Sequence, residues 1–129
     1  MIEVLRPGAS ARKARVVMFD FDGTLSLIRS GWVHVMVPMM VDALAALDTG
    51  ESREQLTAVV DEYVAQLTGK ETIYQMIEFA DQLRRRGGSP GDPLAYKHEY
   101  LRRLWTVIKD RVGALEAGTA QPEDYLVPG

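Results

Sequence analysis

The chain has 129 residues, of which 47% are hydrophobic and 26% are charged, and its formal net charge is −3. This length and composition are typical of a globular domain with a sizeable core. The acidic balance argues against a general nucleic-acid binder, and the lack of cysteine excludes disulfides, thiolate catalysis and cysteine metal sites. We expect a cytoplasmic protein without a nucleic-acid partner, because a cysteine-free sequence fits a reducing compartment.

The first thirteen residues predict an irregular, solvated arm. Its basic residues have no aromatic residues among them and are opposed only by Glu3: they are Arg6, Arg12, Lys13 and, just beyond the arm, Arg15. The apolar run that follows is too short for the core of a signal peptide. The longest apolar stretch, residues 31–47, contains Pro38 and Asp42 and is also short for a bilayer span, so we expect no membrane partner.

Residues 14–20 predict a buried β-strand that ends in an aspartate. Residues 16–19 are all apolar, as in strands whose two faces are covered inside a parallel sheet. Asp20 ends the run and Asp22 follows two residues later. Because ligands bind at the carboxyl ends of strands in open α/β sheets, we predict a functional site at this point.

The remainder of the chain predicts helices. A first helix lies within residues 31–48, where Pro38 should kink it or mark its start. A second begins at Ser52, which forms a capping box with Gln55. A third begins after another capping box, formed by Thr68 and Glu71.

The third helix is predicted to stop at Gly87, and a fourth to begin at Asp92 with Pro93 in its first position. We expect the fourth helix to bury a continuous apolar stripe. The members of this stripe are Leu101, Leu104, Trp105, Ile108, Val112 and Leu115. Four amphipathic helices with short connections predict a bundle.

The single predicted strand has no convincing partner in this sequence. Residues 125–127 are the only other candidate, and they are too few to form a sheet. Since an unpaired strand leaves its backbone groups unsatisfied, we expect the rest of the sheet to come from another polypeptide or from a longer chain.

The two aspartates suggest phosphoryl chemistry. A carboxylate can attack phosphorus and form an aspartyl-phosphate, and a second acid can protonate the leaving oxygen and then activate water. Mg²⁺ suits such a site because it offsets the negative charge of both reactants. Gly23 permits a sharp turn, and Thr24 offers a hydroxyl and an N–H to phosphate oxygens. The plain alternative is a polar turn that only ends a strand.

Residues 16–25, VVMFDFDGTL, closely resemble the first motif of the haloacid dehalogenase superfamily, in its phosphatase branch. The resemblance implies an α/β, Rossmann-type core, of which this mostly helical chain would hold the first strand. It implies that Asp20 is the nucleophile and Asp22 the general acid/base. It also implies that Mg²⁺ is bound by the Asp20 carboxylate and the Asp22 backbone carbonyl. Because dehalogenase members lack the second aspartate, the resemblance favours phosphoester hydrolysis or phosphoryl transfer.

The same resemblance divides the chain into three parts. Residues 1–30 would hold the arm, the first core strand and the motif, residues 31–120 a helical cap, and residues 121–129 a return to the core. Residues 67–72 resemble the substrate-specificity loop of sugar-phosphate and phosphoglycolate members. Candidate specificity residues for a small phosphorylated metabolite are therefore Thr68, Gly69 and Lys70. Arg29 is a further candidate, because it follows the aspartate motif closely and could help to hold an anion. For Lys70, a solvated lysine at a helix start is the plain alternative.

The family's later motifs follow the return to the core, where this sequence stops. We therefore expect a truncated Mg²⁺-dependent phosphatase that, isolated, is inactive or weakly active on p-nitrophenyl phosphate. Its partner would be the remaining core, in a longer chain or in another polypeptide, or a second copy through self-association. The alternatives are a non-catalytic helical interaction module and one half of a split phosphatase or phosphomutase.

Overall fold

Four helices form a small bundle in the computed structural model, which describes residues 6–8 and 10–128. They are α1 (Val33–Ala45), α2 (Arg53–Gln66), α3 (Thr72–Arg85) and α4 (Pro93–Glu116), and a short α5 (Pro122–Tyr125) follows. Helix α1 packs mainly against α2, α3 packs mainly against α4, and α1 also contacts α3 and α4. Glu3 of the predicted arm and Gly129 of the predicted return lie outside the described residues.

The predicted α/β, Rossmann-type core is wrong, because the described residues contain helices and no β-strand. Residues 14–21 are not helical and pair in a ladder with none of the described residues. In the described ranges, β-pairing is limited to two isolated bridges, Asp22 with Ser26 and Ser26 with Leu126. The physical reason is that a strand needs a second strand for its N–H and C=O groups, and the other apolar segments here are committed to helices.

Two predicted helix starts are confirmed. The Ser52 hydroxyl accepts a hydrogen bond from the Gln55 N–H at 3.2 Å, and the Gln55 side chain accepts one from the Ser52 N–H at 2.8 Å. Asp92 caps α4 by accepting from the Leu94 N–H at 2.9 Å, and Pro93 is the first helical residue. Side-chain caps of this kind satisfy backbone donors that the first turn leaves free.

The predicted capping box at α3 is wrong. The Thr68 hydroxyl donates to the Val64 carbonyl at 2.8 Å, which ties it to the end of α2. Helix α3 begins at Thr72 instead, and its N-cap residue, Glu71, makes no side-chain capping bond. The first-turn N–H groups of α3 are therefore left without a side-chain acceptor from the cap.

The core lies between the helices and draws mainly on α1. Fully or almost fully buried side chains come from all four helices: Met36, Met40, Val41, Leu44, Leu56, Val60, Met76, Phe79, Tyr100 and Leu104. The ring of Phe79 packs edge-on against Tyr96, with centroids 4.9 Å apart. The hydroxyl of buried Tyr63 donates to the Met40 sulfur at 3.0 Å, so the polar end of this ring is satisfied.

The predicted apolar stripe of α4 is only partly buried. Leu104 is in the core, but Trp105 is 53% exposed and Leu115 is 46% exposed. The reason is length, because α4 has 24 residues and its main partner α3 has 14. The two fully buried residues of α4, Tyr100 and Leu104, both lie in its first half. None of the helices in the described ranges is long and apolar enough to cross a bilayer.

Candidate functional site

The aspartate motif, residues 20–24, forms a compact loop that precedes α1 in the chain. The carbonyl of Phe21 accepts from the N–H groups of Leu25 and Ser26, each at 2.9 Å, and the Gly23 N–H donates to the Ser26 carbonyl at 2.8 Å. Gly23 has φ +79°, a left-handed conformation that a residue with a Cβ atom adopts only with strain. The glycine is thus needed for the reversal of the chain that follows Asp22.

The loop gives the two aspartates different partners. The Thr24 hydroxyl donates to an Asp20 carboxylate oxygen at 3.4 Å, a long bond. Asp22 forms an ion pair with Arg29, whose guanidinium nitrogen lies 2.9 Å from its carboxylate oxygen. Asp20 therefore keeps a nearly free carboxylate, while Arg29 orients that of Asp22.

Two segments that are distant in sequence hold this loop and the residues that follow it in place. The Leu27 N–H donates to the Tyr125 carbonyl at 2.8 Å, and the Val127 N–H donates to the Leu25 carbonyl at 3.1 Å. From α4, the Arg111 guanidinium donates to the carbonyls of Ile28 at 2.8 Å and Ser30 at 2.9 Å. Residues far apart in sequence thus determine where the aspartates lie.

Asp20 and Asp22 line a cleft of about 250 Å³ between the motif loop and the bundle. Arg29 lines the same cleft, and so do Thr68, Gly69 and Lys70 from the α2–α3 connection. The structure thus brings together six of the eight residues that we predicted for the site. Gly23 and Thr24 are not in the lining, and the Thr24 hydroxyl points to Asp20.

The α2–α3 connection is a tight turn that places Lys70 at the cleft. The Lys70 N–H donates to the Leu67 carbonyl at 3.1 Å, and Gly69 between them has φ +89°. This left-handed conformation suits glycine and lets the chain turn from α2 into α3 within a few residues. Lys70 is exposed, as expected for a side chain at the rim.

Five further residues line the cleft; one of them is Trp32, just before α1. The other four are Met36 on α1, Thr72 and Gln75 at the start of α3, and Tyr100 on α4. Met36 is also a core residue. The signal for Gln75 was a polar residue on the buried face of an amphipathic helix, between Thr72 and Phe79 at helical spacing.

Tyr100 connects the buried wall of the cleft to the charged rim. Its side chain is almost completely buried, and this burial raises the pKa of the phenol. The Arg29 guanidinium lies close enough to oppose this pKa shift, whereas the Asp22 carboxylate adds to it. The phenol therefore stays protonated and can donate a hydrogen bond beside the Asp22–Arg29 pair.

The donor set of the cleft fits Mg²⁺ chemically. In residues 6–8 and 10–128, no three histidine or acidic side chains are grouped so that they could hold a metal ion. Mg²⁺ does not need such a group, because it is commonly held by one or two carboxylates together with water and substrate phosphate. Asp20 and Asp22 would supply the protein oxygens, and Arg29 leaves the Asp22 backbone carbonyl free for this use.

Comparison of the chain with protein-family models, curated proteins and solved structures finds no match.

Proposed function

We propose that this chain carries the nucleophile and the substrate cleft of a Mg²⁺-dependent phosphoester hydrolase that works through an aspartyl-phosphate. The observation that carries this proposal is that both aspartates of the D-x-D-G-T motif share one cleft with Arg29 and Lys70. Two acids for phosphoryl transfer and two cations for an anionic substrate are what such a reaction requires. The resemblance of residues 16–25 to the haloacid dehalogenase superfamily supports the same proposal.

In the proposed reaction, an Asp20 carboxylate oxygen attacks phosphorus and the bond to the leaving oxygen breaks. Asp22 gives a proton to that leaving oxygen, for which it must first take up a proton and release its ion pair with Arg29. It then removes a proton from a water molecule, which attacks the phosphorus of the aspartyl-phosphate and releases inorganic phosphate. The near-free carboxylate of Asp20 suits the nucleophile, and the Arg29 contact orients the Asp22 carboxylate that is to remove a proton from water.

When bound, Mg²⁺ would offset the negative charge that develops on the phosphoryl oxygens. The Asp20 carboxylate and the Asp22 backbone carbonyl are the groups that would hold it. Lys70 and Arg29 add positive charge at the rim of the cleft, where an approaching phosphoester first meets the protein. The expected substrate remains a small phosphorylated metabolite, because the cleft measures only about 250 Å³.

The direct test uses beryllium trifluoride, which binds to aspartate carboxylates as a mimic of the phosphoryl group. We expect protein-bound ¹⁹F NMR signals that depend on Mg²⁺. Asp20→Asn should weaken this binding at least about tenfold, since it removes the charged oxygen that beryllium needs. Asp61→Asn, on the exposed face of α2, is the matched control and should bind like the wild type.

Two results would contradict the proposal: a wild-type chain that gives no bound signal, or an Asp20→Asn variant that binds as well as the wild type. Turnover of p-nitrophenyl phosphate should be weak or absent, because the sequence contains only the first motif. Rapid turnover that disappears in Asp20→Asn would support the chemistry and refute the expectation of a weakly active chain.

A second candidate function is an interaction module, and one observation favours it. Residues 16–19 and 21 are apolar, yet their exposed fractions range from 61% for Phe21 to 91% for Met18. A contiguous apolar surface with unpaired backbone groups is typical of an interface. We propose a second copy of this chain as its occupant, because antiparallel pairing of two such segments would cover both at once.

A further inference from the structure

The inner wall of the cleft has a different chemistry from its rim. Asp20, Asp22 and Lys70 at the rim are exposed and charged. The inner wall is formed by Met36, Gln75 and Tyr100, which are 1%, 4% and 1% exposed. A ligand with an anionic end and a neutral end would therefore find a matching environment for each end.

Gln75 is the unusual member of this wall. Its amide makes no hydrogen bond to another described residue. In the described ranges, however, every fully buried side-chain nitrogen or oxygen atom has a hydrogen-bond partner. Both amide atoms of Gln75 must therefore keep a small contact with solvent. Because Gln75 lines the cleft, that contact is with the cleft.

The other buried glutamine of α3 shows what a structural role looks like. The Gln82 amide nitrogen donates to Glu78 at 2.8 Å, and the Gln82 amide oxygen accepts from Arg86 at 2.6 Å. A buried amide normally has such partners, because an unpaired one costs free energy. Gln75 occupies the same helix, is at least as buried, and is left free to bond to something in the cleft.

The position of Gln75 suits recognition of a ligand. It is the fourth residue of α3, and side chains on a helix lean toward the N-terminus, here toward the Thr68–Lys70 turn. The Tyr74 N–H donates to the Glu71 carbonyl at 3.0 Å, but Glu71 makes no side-chain capping bond, so the Thr72 and Ile73 N–H groups have no acceptor among the described residues. A neutral amide has both donors and an acceptor, which is the complement of a hydroxyl group.

We propose that Gln75 is a specificity-determining residue, whose amide hydrogen bonds to a hydroxyl group on the organic part of a small phosphoester. This inference rests on the proposed function, which places the phosphoryl group at Asp20. The cleft of about 250 Å³ has room for a phosphoryl group and a few carbons. Larger substrates would have to extend past the exposed rim.

The test compares two phosphoesters of similar size, racemic glycerol 1-phosphate and n-propyl phosphate, by titration calorimetry in the presence of Mg²⁺. The wild-type chain should bind glycerol phosphate about three- to tenfold more tightly, the range expected for one hydrogen bond. In Gln75→Met, of similar volume, this preference should fall to within about twofold, while inorganic phosphate should bind unchanged.

Gln75→Asn keeps the amide but shortens the side chain by one methylene group, so it does not make the wall more apolar. This variant should also lose the preference for glycerol phosphate. Gln66→Met, at an exposed position on α2, should keep the preference. If inorganic phosphate binds but the wild type shows no preference, or if both Gln75 variants keep it, the assignment of Gln75 is wrong and the proposed function survives. If neither phosphate nor a phosphoester binds to the wild type, both proposals fail.

Discussion

Arg86 shows how a single residue can connect elements that are distant in sequence. Its guanidinium donates two hydrogen bonds to Glu51, at 2.6 and 2.7 Å, and so links the end of α3 to the loop before α2. Its neighbours Arg84 and Arg85 lie in the last turn of α3, where positive charge is favourable at a helix end. The partner of Arg86 lies 35 residues away, where no local pattern can indicate it.

This ion pair predicts a dependence of stability on pH. Hydrogen bonds from Arg86, with a smaller contribution from Thr49, lower the pKa of Glu51 to about 2. Because the folded pKa lies below the unfolded value of about 4.5, the stabilisation is complete above that value and is lost as the pH falls toward 2. The free energy of unfolding of Glu51→Gln should therefore lie below that of the wild type at neutral pH, and this difference should shrink across that interval.

Urea unfolding at a series of pH values measures this difference. Glu116→Gln, at the exposed end of α4, is the control and should show a difference that varies little with pH. The assigned ion pair would be contradicted if the difference in unfolding free energy between Glu51→Gln and the wild type were as large near pH 2 as at neutral pH.

At the scale of elements, local signals predicted where helices begin when the capping side chain had no competing partner. Ser52 and Asp92 cap their helices as their spacing indicated. Thr68 does not, because its hydroxyl donates to the preceding helix. The predicted strand at residues 14–20 is wrong for a different reason. Its apolar pattern indicates a segment that would be buried in a sheet, but the described residues provide no second strand to bury it.

The Ser52 cap can be tested by Ser52→Ala. This change removes the acceptor for the Gln55 N–H, and the free energy of unfolding should fall by about 1 kcal/mol. Denaturation in urea, followed by circular dichroism, gives this value. Ser89→Ala, at an exposed position in the α3–α4 loop, should change it by less than about 0.5 kcal/mol. Equal effects of the two substitutions would show that the cap contributes nothing to stability.

At the scale of the whole molecule, the exposed apolar residues before the motif predict self-association. Light scattering coupled to size-exclusion chromatography should detect a dimer of the wild-type chain at concentrations of about 10 to 100 µM, typical of a modest interface. Phe19→Asp should shift the mass toward the monomer, because it places a charge within the shared surface. Val107→Asp, at another exposed apolar position, on α4, should not.

A wild-type chain that remains a monomer throughout this range would remove the second candidate function. It would leave the phosphoester hydrolase unaffected, because the cleft is formed by residues of one chain.

The sequence by itself determined the features that depend on neighbours in the chain: the helical segments, two of their caps, the turn at Gly23 and the spacing of Asp20 and Asp22. Only the tertiary structure decided which other residues lie next to these features. It placed Lys70 in the cleft of the aspartates and left Gln75, in the wall of that cleft, without a hydrogen-bond partner among the described residues. It also left residues 16–19 exposed. The physical reason is that hydrogen bonds within a turn depend on local geometry, whereas burial and long-range pairing depend on which surfaces the packed helices bring together.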